Sequence, residues 1–264
     1  MIAKYYDSNV ETEWRRLNDH WLEFETTYFH IVNTIPKGSK ILDIGGGPGR
    51  YSFRLANEGY SVFLADLSEK NIEFARDYER ESGIHLLGSE VMNATDLRAF
   101  KDNSFDAVLC LGPLYHLETD FLRSKCVKEI YRVTNHTGII FTAFITHYAP
   151  LYDFIKRDPY SIINSKDVIM QLYNTGWNLD KLSPGDFYIS FFANPEEIES
   201  IFDDVDIERM FIFGCEGIYN QSESKLAELE PNVRNEWLRL GLSFSKTNMA
   251  IYSSEHIVYV GRKK

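Results

Sequence analysis

Along the first thirty residues, apolar side chains recur at spacings of three and four with charges between them: Trp14, Leu17, Trp21, Phe24 and Tyr28. This spacing predicts an amphipathic helix over residues 9–30. The segment NTIPKGSK then breaks it, as Pro and Gly should. From Lys40 the pattern changes to short apolar runs separated by amphipathic stretches. Strands are predicted at Lys40–Ile44, Tyr60–Asp66, within 84–94, at Phe105–Leu111 and at Gly138–Ile145. Between them lie a helix through Leu55, one capped by Ser68 and running to about Glu81, and one over 119–133. Strands alternating with helices at this spacing imply a parallel, doubly wound α/β sheet.

After Thr146 the alternation stops. Residues 147–195 are rich in Tyr, Phe, Asp and Asn and read as short helices and loops. It resumes with a helix near 195–203, a strand at Val205–Phe213, a helix around 223–240 and a last strand at His256–Gly261. The expected organisation is a single domain over 1–264. It comprises an N-terminal helical arm (1–35), a ligand-binding half (36–146), an insertion (147–195) and the rest of the sheet (196–264). Open α/β sheets bind ligands at the carboxyl ends of their strands. An insertion leaving one of those ends is therefore expected to act as a lid.

The stretch KILDIGGGPGRYSF places four glycines after the first strand, where a turn must be tight or a ligand must come close. The phosphate-binding pattern GxxxxGK[ST] is absent. The dinucleotide fingerprint GxGxxG fails in both frames, ending on Arg50 or Ser52. What fits is D-x-G-x-G-x-G, formed by Asp43, Gly45, Gly47 and Gly49. This resembles motif I of the class I S-adenosylmethionine-dependent methyltransferases. The resemblance implies a Rossmann-like, seven-stranded, mostly parallel sheet with an N-terminal helix and a helical or loop lid, and S-adenosylmethionine as cofactor with S-adenosylhomocysteine as product. It places Gly45, Gly46 and Gly47 against the methionine end and Asp43 near the ammonium. Asp66, 17 residues after Gly49 and followed by Leu67, takes the ribose hydroxyls. MNATDL resembles the GDAxxL stretch of ubiquinone/menaquinone-type enzymes, giving Asn93 and Ala94 the adenine contact and Leu97 a packing role. Asp96 is an alternative acceptor there. FDAVLCLGPLYHL resembles the fourth motif, with Leu111 and Gly112 facing the cofactor, and LGPLYHL with the later GCEG looks like a bacterial small-molecule subgroup. Relatives fold the N-terminal arm over the cofactor, which brings in Tyr5.

Composition narrows the partners. The net charge of −11 disfavours any ligand held by phosphate neutralisation. The place where base-amine methyltransferases carry [DN]PP[FY] reads LGPLY, so nucleic acid is not expected. Three cysteines without a CxxC pair and an N-terminus without an apolar leader imply a cytoplasmic protein with no membrane span and no metal site. The 18 Phe and 16 Tyr suit a largely apolar pocket. A sulfonium methyl is already electrophilic, so methyl transfer needs alignment more than side-chain chemistry. His116 and Tyr115 are the candidate catalytic residues; Tyr6, His147, Tyr148, Phe187 and Phe191 are the candidate substrate contacts, with Arg16 as a further reach toward the cofactor carboxylate. The reading is methyl transfer by in-line displacement to a small molecule, with an O, N, S or C acceptor atom left open. A protein methyltransferase, a non-catalytic cofactor-binding scaffold or sensor, and a dehydrogenase are the alternatives. The sequence leaves the oligomeric state open.

Overall fold

The computed structural model describes residues 2–176 and 190–264. Eight strands form one sheet: β1 (Lys40–Ile44), β2 (Ser61–Asp66), β3 (Gly88–Val91), β4 (Phe105–Cys110), β5 (Thr134–Thr146), β6 (Phe192–Ala193), β7 (Ile207–Gly214) and β8 (His256–Lys263). Seven of them run in the order β3-β2-β1-β4-β5-β8-β7, and the two-residue β6 pairs with the end of β5. β8 is antiparallel to both β5 and β7, while the pairs from β3 through β5 are parallel. This is the expected mostly parallel, doubly wound sheet.

The helices are α1 (Ile2–Asp7), α2 (Val10–Asp19), α3 (Trp21–Thr34), α4 (Arg50–Asn57), α5 (Glu69–Ser82), α6 (Pro113–His116), α7 (Asp120–Val133), α8 (Ala149–Arg157), α9 (Ile162–Thr175), α10 (Glu223–Ala227), α11 (Pro231–Phe244) and α12 (Asn248–Ser253). Strand alternation divides the core between the two faces. Leu42, Ile44, Val108 and Cys110 face the layer holding Val127 and Ile130 of α7. Ile41, Ala107 and Leu109 face Phe24, Ile31 and Leu55 of α3 and α4.

Several elements depart from the periodicity. The helix predicted over 9–30 is two helices broken at His20, whose φ/ψ of −102°/53° is not helical. Tertiary contacts explain the break. The freed amide of Leu22 donates to Glu223 Oε1 at 2.8 Å, and Trp21 Nε1 donates to the Glu223 carbonyl at 3.2 Å. A helix N-terminus has unpaired amides, and Glu223 satisfies one of them from across the fold. The helix predicted around 223–240 is likewise two, α10 and α11, with Pro231 starting the second. The region near 195–203 is a turn and a 3₁₀ segment at Ile198–Phe202 rather than an α-helix. The strand predicted to start at Gly138 starts at Thr134, directly after α7.

The parallel register brings the strand ends that matter to one edge. Asp43 pairs with Leu64 and Leu109, and Ile44 with Ala65. The glycine turn after β1, Asp66 at the end of β2 and Leu111 after β4 therefore open onto the same side. Removing the Glu223 carboxylate should test the helix break. Glu223→Ala is expected to lower unfolding free energy by about 1–3 kcal/mol in urea titrations, because it strands a buried amide. Glu223→Gln keeps an oxygen for that amide and should retain most of the stability.

Candidate active site

At the carboxyl edge of β1, β2 and β4 lies a cavity of about 240 Å³. Its floor is the glycine turn. Gly45 and Gly47 have φ of +71° and +58°, the left-handed region that favours glycine. Gly46 has no room for a side chain, since a Cβ would lie 2.6 Å from Asp43 Oδ2 and from Leu64 Cδ1. The turn is pinned to β2 by Gly45 N–H and Gly46 N–H donating to the Ala65 carbonyl at 2.7 and 3.3 Å.

Two carboxylates define this end. Asp43 is buried and accepts from Ser52 Oγ at 2.6 Å through Oδ2, while its Oδ1 is buried with no hydrogen-bond partner. Burial pushes its carboxyl up to about 7, against the Ser52 hydrogen bond. An unsatisfied buried oxygen on a cavity wall is the kind of group a bound ammonium would satisfy, directly or through water. Asp66 accepts from Gly47 N–H at 2.8 Å, from Ser68 N–H at 2.8 Å and from Asn71 Nδ2 at 3.1 Å. Burial raises its carboxyl, and these three donors oppose the rise. It lines the cavity and keeps acceptor capacity for a hydroxyl.

Leu67, Asn93, Ala94, Leu111 and Gly112 also line the cavity. Asn93 differs in orientation from the expectation. Its side-chain oxygen accepts from Thr95 N–H and Thr95 Oγ at 2.9 and 3.0 Å, so the amide NH₂ is the group left to meet a ligand. Asp96 is turned away, clasped by Arg98 at 2.7 Å, and does not line the cavity.

The roof is the N-terminal arm. α1 is docked where Asp7 Oδ1 accepts from Ser68 Oγ at 2.6 Å and from Lys70 N–H at 3.3 Å. This places Tyr6 inside, with its hydroxyl 2.6 Å from His116 Nε2, while Tyr5 packs edge-on against Tyr6 outside the lining. Burial, aided by Arg16, holds His116 down to about 4, so its imidazole is neutral near pH 7. Tyr115 and His116 both line the cavity. The described residues of 147–195 do not. His147 and Tyr148 instead form an aromatic cluster with Tyr173, the His147 ring lying 5.0 Å from Tyr173 and 4.2 Å from Tyr148. Phe191 packs on the core and under the Arg123 guanidinium at 4.1 Å. Phe187 lies outside the described residues.

A charged wall was largely missed. Arg16 donates to both Glu23 oxygens at 2.7 and 3.3 Å and lies 3.5 Å from Glu13. Glu23 is 3.9 Å from His256 Nε2, and His256 Nδ1 lies 2.6 Å from Glu216. Burial works against both charges, yet their partners outweigh it: Glu23 is held down to about 2 and His256 up to about 9. In sequence Glu13, Arg16 and Glu23 look like the solvated face of one long helix. The break at His20 is what folds Glu23 back onto Arg16.

Residues 42–142 match the family model described as a methyltransferase domain. The Bacillus subtilis (strain 168) protein YqeM, named as a candidate methyltransferase, is 27% identical over 239 residues, covering 87% of this chain and 91% of its own. The protein is an S-adenosylmethionine-dependent methyltransferase with the class I fold. A ubiquinone biosynthesis O-methyltransferase from Sinorhizobium fredii is 34% identical over 62% of this chain, which spans 57% of that relative's length. Among solved structures, an S-adenosylmethionine-dependent methyltransferase from Thermotoga maritima shares the fold, with a TM-score of 0.62 at 17% identity over 98% of each chain. The cofactor of this methyltransferase is S-adenosylmethionine. The orphan oxygen of Asp43, the side-chain-free turn at Gly46 and the acceptor Asp66 fit its ammonium, its close approach and its ribose. Among the described residues no cluster of metal-ligating side chains occurs, and no helix is long and apolar enough to cross a membrane.

Two outcomes follow for this site. Gly46→Ala should weaken S-adenosylhomocysteine binding by at least about tenfold, or 1.4 kcal/mol, in calorimetric titration, because the added Cβ displaces Asp43. The melting temperature should fall as pH rises from about 6.5 to 9. His256 and Glu223, held at about 9 and about 8, both bind protons more tightly folded than unfolded. Their stabilisation is complete below their unfolded values and is lost as pH climbs through the folded ones. His256→Asn should flatten the upper part of that slope.

Proposed function

We propose that this methyltransferase acts on a small-molecule acceptor. The observation that carries the reading is that the glycine turn and the Tyr6–His116 pair face one cavity whose roof is the chain's own arm, α1 and α2. The acceptor therefore has to fit beneath those helices. Leu111 stands where a base-amine enzyme needs a polar side chain, and it offers neither donor nor acceptor. Aromatic walls from Tyr6, Tyr51 and Tyr115 suit an organic acceptor with apolar surface.

When bound, S-adenosylmethionine supplies an electrophilic methyl carbon on a sulfonium. The chain's contribution is alignment and exclusion of water. Asp43 would hold the ammonium of the cofactor and Asp66 its ribose, with Gly112 and Leu111 letting it lie close to the end of β4. The neutral imidazole of His116, fixed by Tyr6, orients the acceptor by hydrogen bonding. The name of the Sinorhizobium relative puts an oxygen acceptor within the reach of this fold.

Thermal unfolding with S-adenosylhomocysteine tests the cofactor site. At about 100 times its dissociation constant the ligand should stabilise the fold by about 2.7 kcal/mol. NAD should leave the midpoint unchanged, and Asp66→Ala should abolish the shift. The variant should also melt lower without ligand, since Gly47 and Ser68 lose their acceptor. A product assay over small acceptors, with a basic peptide as competitor, tests the substrate class. Turnover of the peptide alone would overturn the small-molecule reading.

A further inference from the structure

The cavity crosses the strand ends in the order of the sheet. β1 brings Asp43, β2 brings Asp66, and the turn after β3 brings Met92, Asn93 and Ala94. A cofactor with its ammonium at Asp43 and its ribose at Asp66 would therefore carry its purine beyond β2, toward that turn. Leu67, Met92 and Ala94 line this end and suit the flat face of a base, which is alike in all purines. Of these four residues only Asn93 is polar. We propose that Asn93 reads the six-position of the purine as a hydrogen-bond donor, so that the enzyme binds a cofactor with a 6-oxopurine as well as one with adenine. The inference rests on the methyltransferase reading above and deepens its cofactor site.

The orientation of the Asn93 amide is decided by a neighbour that can only donate. Thr95 N–H lies 2.9 Å from one atom of that amide, and a backbone N–H has no lone pair to offer. The atom it meets is therefore the oxygen, since turning the amide over would set two donors against each other. The Thr95 hydroxyl donates to the same oxygen at 3.0 Å, so both of its lone pairs are engaged. The Asn93 backbone carbonyl accepts from Asp96 N–H at 2.8 Å, which holds the turn in place. Asp96 itself is clasped by Arg98 and lies outside the cavity lining. The group that Asn93 presents is thus its NH₂. Asn93 is also exposed, which puts this contact at the rim of the cavity.

An amide NH₂ and a carboxylate sense the edge of a purine in opposite ways. Adenine carries an amino group at its six-position, which donates. A 6-oxopurine carries a carbonyl there, which accepts. The Asn93 NH₂ can donate to that carbonyl and has no lone pair for the amino group. A carboxylate in the same place accepts from the amino group and repels the carbonyl. Adenine still binds, because water at the exposed rim takes the hydrogens that Asn93 leaves unmet. The amino group therefore loses little, while the carbonyl gains a protein hydrogen bond.

Titration calorimetry with S-adenosylhomocysteine and S-inosylhomocysteine tests this, because the two differ only along that edge of the base. The unaltered protein is expected to bind S-inosylhomocysteine within about threefold of S-adenosylhomocysteine, or tighter. Asn93→Asp keeps the oxygen that Thr95 holds and exchanges the donor for an acceptor. It should favour S-adenosylhomocysteine by at least about tenfold. A preference of the unaltered protein for S-adenosylhomocysteine beyond about threefold would overturn the assignment. So would an unchanged ratio in Asn93→Asp. Should that variant not fold, Asn93→Ala decides: a loss confined to S-inosylhomocysteine supports the contact, and an equal loss for both ligands, or none, overturns it. If neither ligand binds the unaltered protein, the cofactor site falls and this inference with it. Binding of S-adenosylhomocysteine alone leaves that site standing and removes only the role given to Asn93.

Discussion

The backbone of the first turn is tied to the end of its neighbouring strand, and the site depends on that tie. Gly45 and Gly46 donate to Ala65, and Gly47 donates to the Asp66 carboxylate. Three consecutive amides are thereby fixed by β2 before any ligand arrives. The same Asp66 closes the N-terminus of α5 through Ser68 and Asn71. One side chain therefore sets the height of the cavity floor, starts the next helix and faces the cavity. Preorganisation of this kind places the ordering cost in folding instead of in binding. It also means that the residue can be altered for binding only by disturbing the turn.

Much of this was legible because it is local. The strand–turn–helix unit from Lys40 to Asn57, the cap at Ser68 and the helix over 120–133 follow from periodicity and capping chemistry. The cavity-lining residues of this half were legible for a related reason: glycines at left-handed positions and an acid at a strand end lie at fixed distances along one βαβ path. What could not be read was settled between distant segments. Leu22 and Glu223 are 201 positions apart, and their hydrogen bond divides a helix that the apolar spacing draws as continuous. Glu23 then joins Arg16 across the break, and His256 arrives from the last strand. No short window of sequence contains that wall. Phe191 shows the converse error, since an aromatic near the end of the insertion looked like a pocket wall and instead packs beneath Arg123.

The buried ion network is a costly way to join secondary structures, because each charge must be withdrawn from water. Here the geometry compensates: the imidazole of His256 has a carboxylate toward each ring nitrogen, and Glu23 has Arg16 on one side and His256 on the other. The network couples the arm that roofs the cavity to the strand that ends the sheet. Loss of one member leaves its partner charged and unpaired, so the arm and the C-terminal strand should loosen together.

The cavity is assembled from distant parts of the chain. The glycine turn, Asp66, Asn93 and Ala94 all fall within residues 42–142, the stretch that matches the methyltransferase domain. Glu13, Arg16, Glu23 and His256 all fall outside it. Substitutions at the two chain ends would therefore reach the roof and the charged wall without touching the glycine turn. The matched stretch thus carries the floor of the cavity, while its roof and its charged wall arrive from the two ends of the chain.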